Sequence, residues 1–316
     1  MEDKYVIGID LGGTKISGAV ANFKGDVISQ YTLPTKAEEG EKAVLERIIK
    51  VVEKVIKESN VDKERIVSIG IGSPGPLDAK KGKIITTPNL PFKNFNIVSP
   101  LVDQFHIPTY LDNDGNVAAI GEYAFGAGKE TNNMIFITVS TGIGGGAVLN
   151  GKIYRGNTCN ALEIGHMTLE EKGPRCNCGN YGCAEALASG TAIAKTATEQ
   201  VKKGLSTSLS NYDKITAYEV FKEVEKGDHV ARDVLNKALN YLGICVANMI
   251  TSFDPEMVII GGGVSKGGNM VFEKVKEVVK TRCFKAMWES TKIVPAALGT
   301  DAGVKGAVAL AIMESK

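Results

Sequence analysis

The sequence predicts an α/β protein made of two similar halves, and three observations carry that reading. Two glycine-rich segments each follow an apolar, strand-like run. The two segments match without a gap. The remaining chain alternates short apolar runs with stretches of helical period. The first segment runs from Val6 to Asn22 and the second from Met134 to Asn150. Laid on one another they pair Ile7 with Ile135, Ile9 with Ile137, Asp10 with Thr138, Gly18-Ala19-Val20 with Gly146-Ala147-Val148 and Asn22 with Asn150. Glycine by itself makes chance likeness common, but the agreement of apolar and terminal positions has another source. Each segment reads as strand, tight glycine turn and second strand, a hairpin whose tip presents backbone N–H groups. Two such tips facing one cleft could grip a nucleotide polyphosphate from both sides. A Gly-x-x-x-x-Gly-Lys-Ser/Thr motif is missing, and the second strand argues against a Rossmann turn into a helix.

Between the hairpins, residues 41–57 carry Val44, Leu45, Ile48, Ile49, Val52, Val55 and Ile56 at helical spacing. Residues 66–71 form an apolar strand that runs into Gly72-Ser73-Pro74-Gly75-Pro76, which cannot continue as regular structure. Residues 107–111 read as a strand and 113–125 as a helix. Residues 230–253 form a long helix, and 257–260 a buried strand that leads into Gly261-Gly262-Gly263. The polar, serine-rich stretch 202–212 reads as the most mobile loop. The domains are expected at 1–115, joined by a C-terminal helix over 301–316, and at 116–300.

Composition removes several function classes. A chain of 316 residues with 43% hydrophobic and 23% charged residues is of globular type. A net charge of +1 gives no electrostatic case for nucleic acid or an anionic membrane. No apolar run approaches the ~20 residues needed to span a bilayer. No apolar leader stands at Met1-Glu2-Asp3-Lys4, so a cytoplasmic protein with reduced thiols is expected.

The segment 163–185 is the richest in chemistry. His166, Cys176, Cys178 and Cys183 offer one imidazole and three thiols, a donor set that suits a closed tetrahedral zinc site. Ordinary thiols or a disulfide framework are the plain alternatives. A reducing compartment and the tight Cys-x-Cys spacing favour a metal. Glu163 and Glu185 flank the ligands, so a metal clip would hold two carboxylates and an imidazole together. Cys245 lies in an apolar helical run and reads as a buried thiol.

Asp112-Asn113-Asp114-Gly115-Asn116 closes a strand and opens a helix. A helix cap is the ordinary reading, although strand ends are where α/β sheets place ligands. Asp10, beside two glycines at a strand end, suits Mg²⁺ held through water. Gly261 to Gly263 would let the backbone approach a flat ligand. Asn89 lies in a Pro-flanked loop.

Taken in order, Asp10-x-Gly12-Gly13-Thr14, Leu111-Asp112-Asn113-Asp114, Thr141-Gly142-x-Gly144-Gly145-Gly146, Glu163-x-Gly165-His166 and Cys176-x-Cys178-Gly179-x-x-Gly182-Cys183 resemble the ROK family of sugar kinases and repressors. The likeness is strongest to its bacterial glucokinases, and it covers essentially the whole chain to Ala307. It implies the actin-like ATPase (ribonuclease H-like) fold, with ATP in the cleft and Mg²⁺ near Asp10. It implies phosphate contacts at Gly12, Gly13, Thr14, Lys15, Thr141 and Gly142, with Gly261, Gly262 and Gly263 against the adenosine. Sugar hydroxyls would fall to Asn113, Asp114, Glu163, His166 and Glu185, with Gly75 and Asn89 nearby. Asp114 would be the catalytic base for the 6-hydroxyl of a hexose, glucose first among them. A homodimer is common in the family. Family repressors carry a helix-turn-helix domain ahead of the sugar-binding part, whereas here the first strand starts almost at Met1, so an enzyme is expected. One loop departs from the pattern. Family glucokinases show Gly-x-x-Gly-x-Ala-Gly-Glu before the Gly-His, where this chain has Gly156-Asn-Thr-Cys159-Asn-Ala-Leu162-Glu163. That change points to a reshaped pocket, for another hexose or an N-acetyl sugar.

Overall fold

Strands β1 (Tyr5–Leu11), β2 (Lys15–Asn22) and β3 (Val27–Pro34) form an antiparallel meander covered by helix α1 (Glu41–Ser59). The computed structural model describes residues 4–87 and 89–315; Met1 to Asp3, where no apolar leader is expected, and Lys316 of the expected C-terminal helix lie outside the described residues. Strand β4 (Ile66–Ser73) returns parallel to β1. Short strands β5 (Leu77–Asp78), β6 (Lys83–Thr86) and β7 (Lys93–Asn96) make a small antiparallel sheet. Helix α2 (Val98–Phe105), strand β8 (Thr109–Asn113) and helix α3 (Asp114–Phe125) follow. The second half contains β9 (Met134–Val139), β10 (Ile143–Leu149) and β11 (Lys152–Ile153), then helices α4 (Ala184–Ala188), α5 (Gly190–Lys202), α6 (Ala217–Glu225) and α7 (His229–Phe253). It ends with β12 (Met257–Gly261), α8 (Asn269–Arg282), α9 (Lys285–Ser290), β13 (Lys292–Pro295) and α10 (Ala302–Glu314).

The expected repeat is present in the topology. One five-stranded sheet has the order β3-β2-β1-β4-β8 and the other β11-β10-β9-β12-β13. In each, the lead strand pairs with the hairpin strand on one side and with a later parallel strand on the other. The register that sets Ile7 on Ile135 also brings β1 onto β9 and β2 onto β10 to within one residue at every end. Val6, Ile7 and Ile9 of β1 are fully buried, as are Val258, Ile259 and Ile260 of β12, because parallel strands covered on both faces need continuous apolar runs. Helix α1 buries Val44, Ile48, Val51, Val52 and Val55 and ends at Asn60 in the left-handed conformation, a residue that tolerates it.

The described chain divides into two compact units. The first holds residues up to Glu130, Gly146–Ala161 and everything from Ala297 onward; the second holds Thr131–Gly145 and Leu162–Ala296. The sequence puts the start of the second domain at residue 116. The structure keeps α3 in the first unit, because Val117 and Ile120 pack with Ala307 and Leu310 of α10. In the same unit Glu122 is fully buried and its carboxylate accepts the amides of Ala127, Ala297 and Leu298.

The expected mobile loop is tied down instead. Helix α5 runs to Lys202, Leu209 is fully buried, and Ser208–Asn211 forms a 3-10 turn. The Ser208 hydroxyl donates to Glu223 and Asp228, the Thr207 hydroxyl to Asp228 and the Tyr212 hydroxyl to Glu223. Ser208, part of the polar run that suggests mobility, is bonded instead to the buried Glu223 and the half-buried Asp228. Among the described residues, no helix is long and apolar enough to cross a membrane.

Candidate active site

In the first unit the parallel strands β1, β4 and β8 bring their carboxyl ends into line, where open α/β sheets place ligands. Register sets Asp10 beside Gly72, Gly72 beside Asp112 and Ser73 beside Asn113. The Asp10 carboxylate lies against Gly303 in the first turn of α10, close enough that no side chain would fit there. Burial raises the pKa of Asp10, and nearby Lys15 pulls it only partly back. The Gly12–Thr14 tip is closed by a bond from Gly12 N to Lys15 O at 3.0 Å. Asn89, itself exposed, lies over Gly13, and Gly75 approaches the Asn113 side chain. Of the predicted residues, the structure thus pairs Gly13 with Asn89 and Gly75 with Asn113.

Asn113 caps α3 with its side-chain oxygen, which accepts from Gly115 N at 2.8 Å. Asp114 is exposed in the first helical turn, and its Oδ1 also accepts from Gly115 N at 2.8 Å. Asp112 differs from both. It is fully buried, and Arg155 Nε donates to its Oδ2 at 2.6 Å. Burial draws the Arg155 pKa down, but attraction to Asp112 and Glu314 outweighs it and the net shift is upward.

In the second unit the β9–β10 tip is held from two sides. Glu185, in the first turn of α4, accepts from Ile143 N at 3.0 Å. Its carboxylate stands so near Gly142 that an added Cβ would come within 2.3 Å of Oε2, so only glycine fits without displacing it. Gly190 N at the start of α5 donates to Ser140 O at 2.7 Å, and the Ser140 hydroxyl accepts from Gly263 N at 3.1 Å. The turn after β12 relies on Gly262 at φ 88°, a left-handed conformation that suits glycine. Tip, helix start and glycine turn together wall a cavity of about 950 Å³, completed by Thr216, Tyr218 and Phe221. Gly263 lines it, with Ser140 and Thr141; Gly261 and Gly262 are not part of its lining.

The predicted metal ligands converge in the same unit. The ligand atoms of His166, Cys176, Cys178 and Cys183 lie within 4.8 Å of one another. Cys176 Sγ is 3.7 Å from His166 Nδ1, and Cys178 Sγ is 3.7 Å from Cys183 Sγ. Zn–S bonds of ~2.3 Å set at the tetrahedral angle give an edge of roughly 3.8 Å, so these separations fit a four-coordinate ion and not a disulfide. Burial pushes the Cys183 thiol up to about 12 and raises Cys176, while the backbone amide of Asn180 holds Cys178 low. Glu163 precedes the 3-10 turn Ile164–His166 and is exposed. That turn is joined to the clip where Ala184 N donates to Met167 O and Thr168 bridges Cys183.

The loop expected to depart from the family pattern has a backbone that suits glycine. Cys159 has φ 62° and Leu162 φ 64°, both in the left-handed region, so the backbone keeps the glycine shape under residues that disfavour it. Cys159 is buried.

Several residues escaped the sequence reading. Thr35 is fully buried and locks the first tip, its hydroxyl donating to Gly12 O at 2.6 Å and its N–H to Thr14 O at 2.9 Å. Thr216 carries a local signal, the capping-box signature of the run Thr216-Ala217-Tyr218-Glu219. Arg155 carries no local signal at all.

Comparison with known proteins agrees with this geometry. Residues 6–314 match the ROK family. A glucokinase of Halalkalibacterium halodurans is 36% identical over 311 residues, 97% of this chain and 94% of that one. A xylose repressor of Caldicellulosiruptor bescii is 34% identical over 312 residues, 98% of this chain and 78% of that one. Among solved structures, a ROK hexokinase from Thermus thermophilus gives a TM-score of 0.86 at 36% identity, covering 98% of both chains. The doubled α/β architecture is that of the actin-like ATPases, and the chain belongs to the ROK family.

Proposed function

We propose that this protein is an ATP-dependent sugar kinase acting on the 6-hydroxyl of a hexose, with glucose the first choice. The observation that carries the reading is the double attachment of the Ser140–Gly142 tip. One side of the tip opens on a nucleotide-sized cavity, and the other is bonded through Glu185 to the segment that holds Glu163 and His166. Phosphoryl transfer depends mainly on positioning and charge neutralisation, so a rigid tip set between donor and acceptor residues suits it.

In this reading the tips Gly12–Lys15 and Thr141–Gly142 hold phosphates, and Gly261–Gly263 lie along the adenosine. Asn113, Asp114, Glu163, His166 and Glu185 orient the sugar, with Gly75 and Asn89 beside them. Asp114 accepts the proton of the attacking hydroxyl. Asp10, whose burial disfavours its charge, fits a site for Mg²⁺ held through water; the cation would supply neutralisation of the phosphates. His166, Cys176, Cys178 and Cys183 fit structural zinc, which would cross-link the segment carrying Glu163 and Glu185.

The test is a coupled ADP-release assay over glucose, fructose, mannose, N-acetylglucosamine and N-acetylmannosamine, with wild type and Asp114→Asn. Glucose should give the highest kcat/KM. The variant should lose roughly 10²–10⁴-fold in kcat with little change in sugar KM. Turnover of none of the sugars would overturn the kinase reading. Near-normal turnover by the variant would remove Asp114 as base, and an N-acetyl sugar in first place would reassign the substrate.

A further inference from the structure

Asp112 is fully buried and its two oxygens have different tasks. Oδ2 takes the charge-assisted bond from Arg155 Nε at 2.6 Å. Oδ1 accepts Asn113 N and Asn116 Nδ2, both at 2.8 Å. Arg155 reaches further, donating from Nη2 to Glu314 Oε1 at 2.6 Å near the end of α10. One guanidinium therefore ties the end of β8, the segment after β11 and the last turn of α10. Its own carbonyl accepts Ala161 N, closing the loop that holds Cys159.

We infer that Arg155 is a positioning residue for Asp114: by fixing the Asp112 carboxylate, it sets the first turn of α3. Only Asn113 separates Asp112 from Asp114, and both ends of Asn113 are held by this network. Its N–H bonds Asp112, and its side chain caps Gly115. Asn116, one turn along, is buried, and its Oδ1 has no hydrogen-bond partner among the described residues. The bond from Nδ2 to Asp112 thus tethers that amide. If Asp112 turned to seek another partner, Asn113 N and the Asn116 amide would lose theirs together. Without Arg155, a fully buried carboxylate would lack its counter-charge and would rotate, hydrate or take up a proton. Lysine would not replace the fork, because one ammonium cannot match the geometry of two separate carboxylates. The catalytic consequence rests on the reading of Asp114 as the base, but the geometry of the α3 turn does not.

The experiment compares wild type, Arg155→Met, and Arg155→Met combined with Asp112→Asn. Hydrogen exchange of the ligand-free protein reports on amides 113–117, and steady-state kinetics on kcat and sugar KM. Arg155→Met should speed exchange at 113–117 and lower kcat by roughly ten- to a hundredfold, with sugar KM changed less. The double variant removes the orphaned charge and keeps an oxygen at Oδ1, so exchange and kcat should return most of the way to wild type. Unchanged exchange at 113–117 in Arg155→Met would overturn the inference, and so would a kcat loss that the double variant does not recover. If wild type turns over no sugar, the role of Asp114 falls, and the exchange measurement still decides the role of Arg155.

Discussion

A methyl group added at position 142 would stand 2.3 Å from Oε2 of Glu185 and 3.2 Å from its Cδ. Ordinary contact starts near 3.4 Å, so in Gly142→Ala the carboxylate has to retreat by roughly 1 Å. What moves is the end of a flexible side chain, so the fold can absorb the change. The loss to stability is the bond from Ile143 N, now 3.0 Å long and accepted by a carboxylate that water can reach. Bonds of this kind contribute about 1.5–3 kcal/mol, and partial exposure puts this one at or below the lower end. A melting temperature lowered by only a few degrees is expected. Function should suffer far more. If Glu185 grips the sugar, a displacement of about 1 Å costs on the order of 100-fold in kcat/KM for the sugar. The assay is coupled ADP release with glucose varied at saturating ATP, run beside a thermal melt. A kcat/KM within threefold of wild type would refute the reasoning. A loss confined to the KM for ATP would move the role of Gly142 from Glu185 to the phosphates.

Three further outcomes are expected. Cys178→Ser should lower bound zinc below one per chain and cut kcat/KM by roughly ten- to a hundredfold; metal analysis that finds none in the native protein would end the clip proposal. Contacts with Lys226, Ser208 and Tyr212 hold Glu223 down from its ordinary 4.5 to about 2. The folded carboxylate therefore binds its proton later than the unfolded one, so its contribution is complete above about 4.5 and disappears as pH falls through about 2. The melting temperature of Glu223→Gln should accordingly fall less steeply than that of wild type across this window, and parallel curves would count against the linkage. Cys245, pushed up to about 12 by burial, should resist alkylation at neutral pH until the chain unfolds, while exposed Cys178 reacts readily once metal is removed. Mass spectrometry of partly labelled protein reads the order.

What the sequence could reveal was local. The two hairpins were legible because apolar alternation and clustered glycine fall at fixed spacings, and α1 and α7 because their apolar residues recur with helical period. The cluster of His166, Cys176, Cys178 and Cys183 was legible because these residues lie close along the chain. The bonds around Asp112 were not, since Arg155 stands 43 residues from Asp112 and 159 from Glu314, and no pattern in a window links such positions. The same holds for Thr35, 23 residues from the Gly12 carbonyl it holds. The small sheet β5–β6–β7 has strands of two to four residues, too short to show alternation. The 202–212 stretch misled because composition reports the solvation of a serine only when its partner is water, and here the partners are Glu223 and Asp228.

Cys159 and Leu162 hold left-handed backbone, the conformation that suits glycine. The turn that holds Cys159 is closed by a backbone bond from Ala161 N to Arg155 O, which does not depend on glycine between them. A search pattern that demands glycine at these positions would pass over this chain although its backbone conforms. For this loop the feature that matters is the closing backbone bond to Arg155, and the residues inside the turn are open to change.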